Sequence, residues 1–206
     1  FITSAVLPSI AYSTVDRPMN PSRGLAVTFR NKLSLASLGS DLDYYRGVVE
    51  TRYFHPVPKT VLPLKTPPIL MLRNVLGFGE GFGGDVLPIY ERFFLGGGRS
   101  LRGFSFRDVG PRDEFGRPLG GASTFLASAE MSFPLANIMD VVFFVDAGNV
   151  FLKGDTLDIA DLRYSAGPGL RANTPFGPIS IFLGYKLDRK TGEKASEVHF
   201  DFGRSF

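Results

Sequence analysis

Three consecutive glycines, Gly96-Gly97-Gly98, lead into Arg99-Ser100-Leu101-Arg102-Gly103-Phe104, with strand-like sequence on both sides. Glycine permits backbone turns that other residues resist, so an arginine just beyond such a turn can be aimed at one buried acidic target. The chemistry on offer is anchoring, not turnover. Ser100 has no evident base partner. His55 and His199 are the only histidines, and no clustered Asp, Glu or His has metal-ligand spacing. Gly77-Phe78-Gly79-Glu80-Gly81-Phe82-Gly83-Gly84 superficially resembles a phosphate loop, but no helix follows to receive a phosphate. Glycine in a strand nearing a turn or bulge is the plainer reading. No enzyme, cofactor or metal site is expected.

An anchored loop needs a frame. The 206 residues suit one domain of ordinary size or part of a larger one. With 44% apolar and 21% charged residues, the chain is neither disordered nor a helical membrane protein. Twenty Phe and seven Tyr favour strands, and 24 Gly and 15 Pro punctuate short runs. The absence of cysteine excludes disulfides and thiolate metal sites. A net charge of +3, with no Lys or Arg tract, argues against a nucleic-acid partner. No stretch approaches the ~20 apolar residues of a spanning helix. The start, Phe1-Ile2-Thr3-Ser4-Ala5, lacks the basic residues and apolar centre of a signal peptide, so the numbering is expected to begin in a mature or truncated protein.

Alternation supplies the frame. Val198, Phe200, Phe202 and Phe206 share one parity, and His199, Asp201, Gly203 and Ser205 the other, with Arg204 breaking the apolar face near the end. Ile179, Ile181, Leu183, Tyr185 and Leu187 alternate with Ser180, Phe182, Gly184 and Lys186, and a polar hairpin at 188–194 joins these runs. Phe125, Ala127, Ala129, Met131 and Phe133 stand against Thr124, Ser128, Glu130 and Ser132. Period two over ~10 residues marks strands with one apolar and one polar face. Further strands are expected near 3–14, 24–38, 42–56, 69–83, 85–95, 139–151 and 163–174, the 69–83 and 85–95 runs being two strands or one strand and the start of a loop. The fold class is an all-β antiparallel meander of about eight or nine strands.

A soluble sandwich or lipocalin-like barrel, binding a small apolar ligand, would turn the apolar face inward. A membrane barrel turns it to lipid and the polar face to a wet lumen. Small residues on the polar face, strand runs of ~10 residues and a terminal Phe closing an alternating strand favour the membrane barrel. Glu50 and Arg52 then share a lumen face.

Several motifs coincide with this reading. Leu101-Arg102-Gly103-Phe104 resembles the Val/Leu-Arg-Gly-Phe/Tyr motif on the sixth extracellular loop of the Omp85 family, the BamA-type outer-membrane insertases. Tyr90-Glu91-Arg92-Phe93-Phe94-Leu95-Gly96-Gly97 is similar to that loop's lead-in. Ala129-Glu130-Met131-Ser132-Phe133-Pro134 and Phe144-Val145-Asp146-Ala147-Gly148-Asn149-Val150 resemble the acidic motifs of the two strands that follow. Thr174-Pro175-Phe176-Gly177-Pro178-Ile179 resembles the turn before the penultimate strand. The likeness runs in order from about residue 3 to Phe206.

The resemblance implies a location in the bacterial outer membrane, in contact with its lipids. It implies that Arg102 reaches into the lumen and pairs with Glu130 and Asp146. Parity agrees for Glu130, and less cleanly for Asp146, whose face also carries Val142 and Phe144. It further implies a lateral gate whose last strand carries Val198, Phe200, Phe202, Gly203 and Phe206, Gly203 being placed to kink it. Partners would be unfolded outer-membrane protein precursors and accessory lipoproteins. A secretion pore or a small passive barrel stands as the alternative.

The family's barrel has sixteen strands preceded by POTRA domains. This sequence resembles the eighth to sixteenth strands and lacks POTRA sequence. A barrel of about eight strands is filled by its own side chains, so residues 84–121 could not tuck inside it. A fragment of a longer barrel is expected; the other solutions are a small barrel with the loop outside, or association with other chains.

Overall fold

The computed structural model describes residues 2–58, 60–62, 64–136, 138–152, 159–174 and 177–203. Among them, ten strands form one antiparallel sheet. They are β1 (Ala5–Val6), β2 (Ser9–Ser13), β3 (Gly24–Ser34), β4 (Tyr44–Pro56), β5 (Ile69–Gly81), β6 (Ser123–Ala136), β7 (Met139–Phe151), β8 (Arg163–Thr174), β9 (Gly177–Lys186) and β10 (Ser196–Phe202). Each strand from β3 onward pairs with the next, while β1 and β2 both pair with β3. Among the described residues nothing pairs β10 with β1 or β2, so the sheet is open.

The alternation sorts as a membrane sheet requires. Leu72, Leu76, Phe143, Val145, Leu170, Ile181, Val198, Phe200 and Phe202 are exposed on the outer face. Thr124, Ser128, Glu130, Ser132, Asp146, Ser165 and Ser180 are buried on the inner one. A soluble barrel would carry the apolar set inside, and that alternative is excluded.

The strand bounds decide two expectations. The run at 3–14 is two strands in one continuous register, Val6 opposite Leu33 and Ser9 opposite Arg30. The break falls at Pro8, which has no N–H for the ladder. Of the two readings of 69–83 and 85–95, the structure takes one strand and the start of a loop: β5 ends at Gly81, and residues 82–122 form one long loop. Within it Phe93 bridges Gly121 and Leu95 bridges Val109. The apolar residues of that stretch serve a different burial. Phe93, Leu95, Leu101, Phe104 and Val109 form a core with Val48, Leu126 and Val150 of the sheet. The loop therefore lies on the inner face, which excludes the arrangement with the loop outside a small closed barrel.

Among the described residues β10 reaches Phe202, and Gly203 follows it with φ of 75°. Gly203 donates its N–H to the Pro178 carbonyl of β9. Phe206 lies outside the described residues, as do Arg204, Ser205, Pro175 and Phe176.

Candidate functional site

Gly96 and Gly97 hold φ of 111° and 106°, a region that side chains resist. The turn is closed by Gly97 N–H on the Phe104 carbonyl at 2.9 Å and Ser100 N–H on the Gly97 carbonyl at 3.0 Å. Ser100 also accepts the Gly96 N–H on its hydroxyl, a structural role for a residue without a catalytic base. This doubled-back tip aims Arg102 at the sheet.

Strand register prepares its target. Ser128 of β6 faces Asp146 of β7, and Glu130 faces Phe144, so the two acids are diagonal neighbours on the inner face. Arg102 donates to Asp146 through its backbone N–H at 3.1 Å, Nε at 2.8 Å and Nη2 at 2.7 Å. Its Nη1 donates to Glu130 Oε2 at 2.8 Å and its Nη2 to Ser128 Oγ at 3.0 Å. Ser128 in turn donates to Asp146 Oδ1 at 2.5 Å. The guanidinium lies 3.7 Å above the Phe144 ring and 4.8 Å from that of Phe182, giving a desolvated cation–π contact. Phe144 thus belongs on the same face as Asp146, because it packs on the arginine and not on water.

A second arginine completes the charge balance. Arg171 Nη2 lies 2.6 Å from Glu130 Oε1, an oxygen that takes no hydrogen bond of good geometry. Arg102, Arg171, Glu130 and Asp146 form a buried quartet of zero net charge, which offsets the desolvation of each ion. Gly169 stands opposite Phe182, where an added Cβ would meet its ring at 2.3 Å, and so makes room for that side chain.

The loop is fastened at both flanks. Toward the early strands, Glu91 accepts from Lys32 Nζ at 2.5 Å and from the Tyr44 hydroxyl at 3.2 Å. Arg46 donates to the Glu91 carbonyl at 2.9 Å. Toward the end of the chain, Gly103 donates its N–H to His199 Nε2 at 2.8 Å. Ser105 donates to Glu197 and Arg99 donates to Asp201. Leu101 and Phe104 are fully buried beside Arg102. Glu50 is not merely hydrated: Arg30, Arg52 and Arg73 all converge on it.

Of the gate-strand residues named from sequence, Val198, Phe200 and Phe202 point their side chains outward, and the Phe202 backbone carbonyl accepts from Arg99 of the loop. The polar parity of β10 makes the side-chain contacts to the loop. Ser128, Arg171, Phe182 and His199 all take part in the site without having been singled out as members. Their signal was parity: each lies on an inner-facing position of its strand.

A profile of the Omp85 superfamily domain matches residues 1–206. The outer membrane protein assembly factor BamA of Neisseria meningitidis serogroup B is 28% identical over 93% of this chain and 27% of its own length. The protein of the same name from Neorickettsia risticii is 31% identical over 97% of this chain and 27% of its own length. The chain therefore spans about a quarter of the length of the curated relatives it matches. The crystal structure of BamA from Haemophilus ducreyi lacking POTRA domains 1–3 shares the fold, with a TM-score of 0.79 and 24% identity, covering 95% of this chain and 41% of that one.

Proposed function

The chain belongs to the Omp85 superfamily, and on that premise we propose that it forms the carboxy-terminal part of an outer-membrane barrel that inserts other barrel proteins, with β10 as one side of a lateral seam. It is an outer-membrane assembly component and not an enzyme. The observation that carries the seam is the place of β10: it is the last strand of the described sheet, and its inner face is tied to the Arg102 loop. A seam strand that parts from its neighbour offers N–H and C=O groups at the spacing another strand needs, which makes it a template for β-augmentation. The incoming strand would belong to an unfolded outer-membrane precursor.

The loop's part is positional. Its buried arginine fixes the tip against β6 and β7, and its neighbours carry that position to β10. A loop so packed also fills the inner face, which favours assembly over a wide passive channel. Accessory lipoproteins are proposed as partners of the whole protein on the strength of the family alone.

The test uses the full-length protein reconstituted into liposomes, with an unfolded outer-membrane barrel protein as client. A photo-crosslinking residue at Phe200 of β10 is expected to capture the client during accelerated folding, and one at Leu170 of β8 is not. Absence of acceleration, or equal capture at both positions, would overturn the reading.

A further inference from the structure

The loop meets β10 at alternate inner-face positions, running antiparallel to it. Arg99 Nε donates to Asp201 Oδ1 at 2.5 Å and its Nη2 to the Phe202 carbonyl at 2.6 Å. Gly103 N–H donates to His199 Nε2 at 2.8 Å, and Ser105 Oγ donates to Glu197 Oε2 at 2.9 Å. The middle contact differs from its neighbours. It is buried, it holds the backbone next to Arg102, and its acceptor is an imidazole.

Space around it is tight. A Cβ added at Gly98 would lie 3.1 Å from His199 Cβ, and one added at Gly184 would lie 2.4 Å from Gly103 N. The loop therefore has little room to exchange the histidine for another acceptor.

We propose that His199 is a positioning residue that latches the Arg102-bearing loop to the last strand, and that protonation of its imidazole opens the latch. The proposal rests on the reading of β10 as a seam strand. A backbone N–H can only donate, so Nε2 must present its lone pair to Gly103, and the ring proton sits on Nδ1. An imidazolium carries protons on both nitrogens, which sets two donors against each other at 2.8 Å. The contact is present while the ring is neutral and is lost as pH falls through its titration.

The charged groups facing the ring are of mixed sign. They are Glu197 on β10, Arg102 from the loop and Asp146 on β7; the Arg99–Asp201 pair lies two residues further along β10, and Lys186 of β9 and Arg163 of β8 stand over the Phe104 ring. Glu197 and Asp201 are already engaged by the loop, and Asp146 by Arg102. With the middle contact gone, the loop's hydrogen bonds to β10 among the described residues are those of Arg99 and Ser105, and the Arg99 side chain is more than half exposed. The strand is then freer to move apart from the loop.

The experiment compares the full-length protein with its His199→Gln and His199→Leu variants in lipid nanodiscs. Hydrogen-exchange protection of residues 99–105 and 196–202 is followed from about pH 8 to about pH 5, across the imidazole range. The unaltered protein is expected to lose about tenfold protection on acidification, the weight of one buried hydrogen bond. His199→Gln keeps an acceptor that does not titrate, so it stays protected and flat. His199→Leu is unprotected and flat. An unaltered protein without a pH step, or a step that survives in His199→Gln, overturns the latch. Client folding is measured alongside. No acceleration at any pH, with the protection step intact, removes the seam reading and leaves the latch. Acceleration indifferent to pH and to His199→Leu removes the latch as a positioning device.

Discussion

Arg102 and Asp146 are joined three times, through the arginine's backbone N–H, its Nε and its Nη2. The side-chain pair fixes the orientation of the guanidinium plane, and the backbone bond fixes where the loop turns. One carboxylate thereby sets both the position and the direction of the loop tip.

Arg102→Ala leaves Asp146 and Glu130 with Arg171 as their sole neighbouring cation of the quartet, and both acids are almost fully buried. Stranded buried charge of this kind costs about 3–5 kcal/mol. Arg99→Ala breaks a pair whose arginine is 59% exposed, and exposed pairs contribute about 1 kcal/mol or less. Urea unfolding of the full-length protein should place Arg102→Ala well below Arg99→Ala. Arg102→Lys should recover little, because an ammonium cannot bond to Asp146 and Glu130 with one planar fork.

The charge-swapped pair Arg102→Glu with Glu130→Arg should fail to restore folding yield. The carboxylate placed at position 102 would lie against Asp146, which takes most of the bonds that Arg102 makes. Asp146→Asn should accordingly weaken loop protection more than Glu130→Gln, since Glu130 receives a single hydrogen bond from Arg102. Recovery in the swapped pair would show that Glu130 is the dominant anchor.

Gly184→Ala tests the close approach of loop and sheet. The added methyl would sit 2.4 Å from Gly103 N and 2.6 Å from Gly103 Cα, both backbone atoms that cannot swing away. Alanine itself suits the strand, so β9 should persist while the loop is pushed off it. Overpacking of this type costs about 1–3 kcal/mol. Hydrogen exchange should rise in residues 99–105 and stay unchanged in β3 and β4.

Alternation made the frame legible. In β6, β8 and β9 the outer face meets lipid and the inner face meets polar groups, and period two follows from that contrast. The signal blurs where the inner face meets a packed loop. Leu126, Phe144 and Phe182 are apolar at inner positions because they touch the loop core or Arg102, and Val142 because it packs with Phe144 and Phe182, so the inner parity does not read as uniformly polar. The 85–95 run read as either a strand or the start of a loop for the same reason, its apolar residues being buried by folding back. His199 was legible only as a lone histidine, because its partner is a backbone N–H ninety-six residues away in sequence. Backbone groups leave no mark in a sequence.

A second pH window should open at the β9–β10 connection, far from the histidine range. Arg163 donates to Glu193 Oε1 at 3.0 Å and Oε2 at 2.7 Å, and to Asp188 Oδ2 at 2.5 Å. That hydrogen-bonded arginine is the main reason that the Glu193 carboxyl is pulled from 4.5 down to about 2. A carboxylate depressed in the folded state contributes its stabilisation above its unfolded value, and loses it as pH falls through the folded one. Protection of residues 187–195 should therefore hold across the range where the His199 contact opens. It should fall only between about pH 4 and pH 2, the interval that the two carboxyl values bracket. Glu193→Gln should abolish this lower step and leave the upper one in place. Were both steps to vanish together, the two contacts would be one cooperative unit and the histidine could not act as a separate latch.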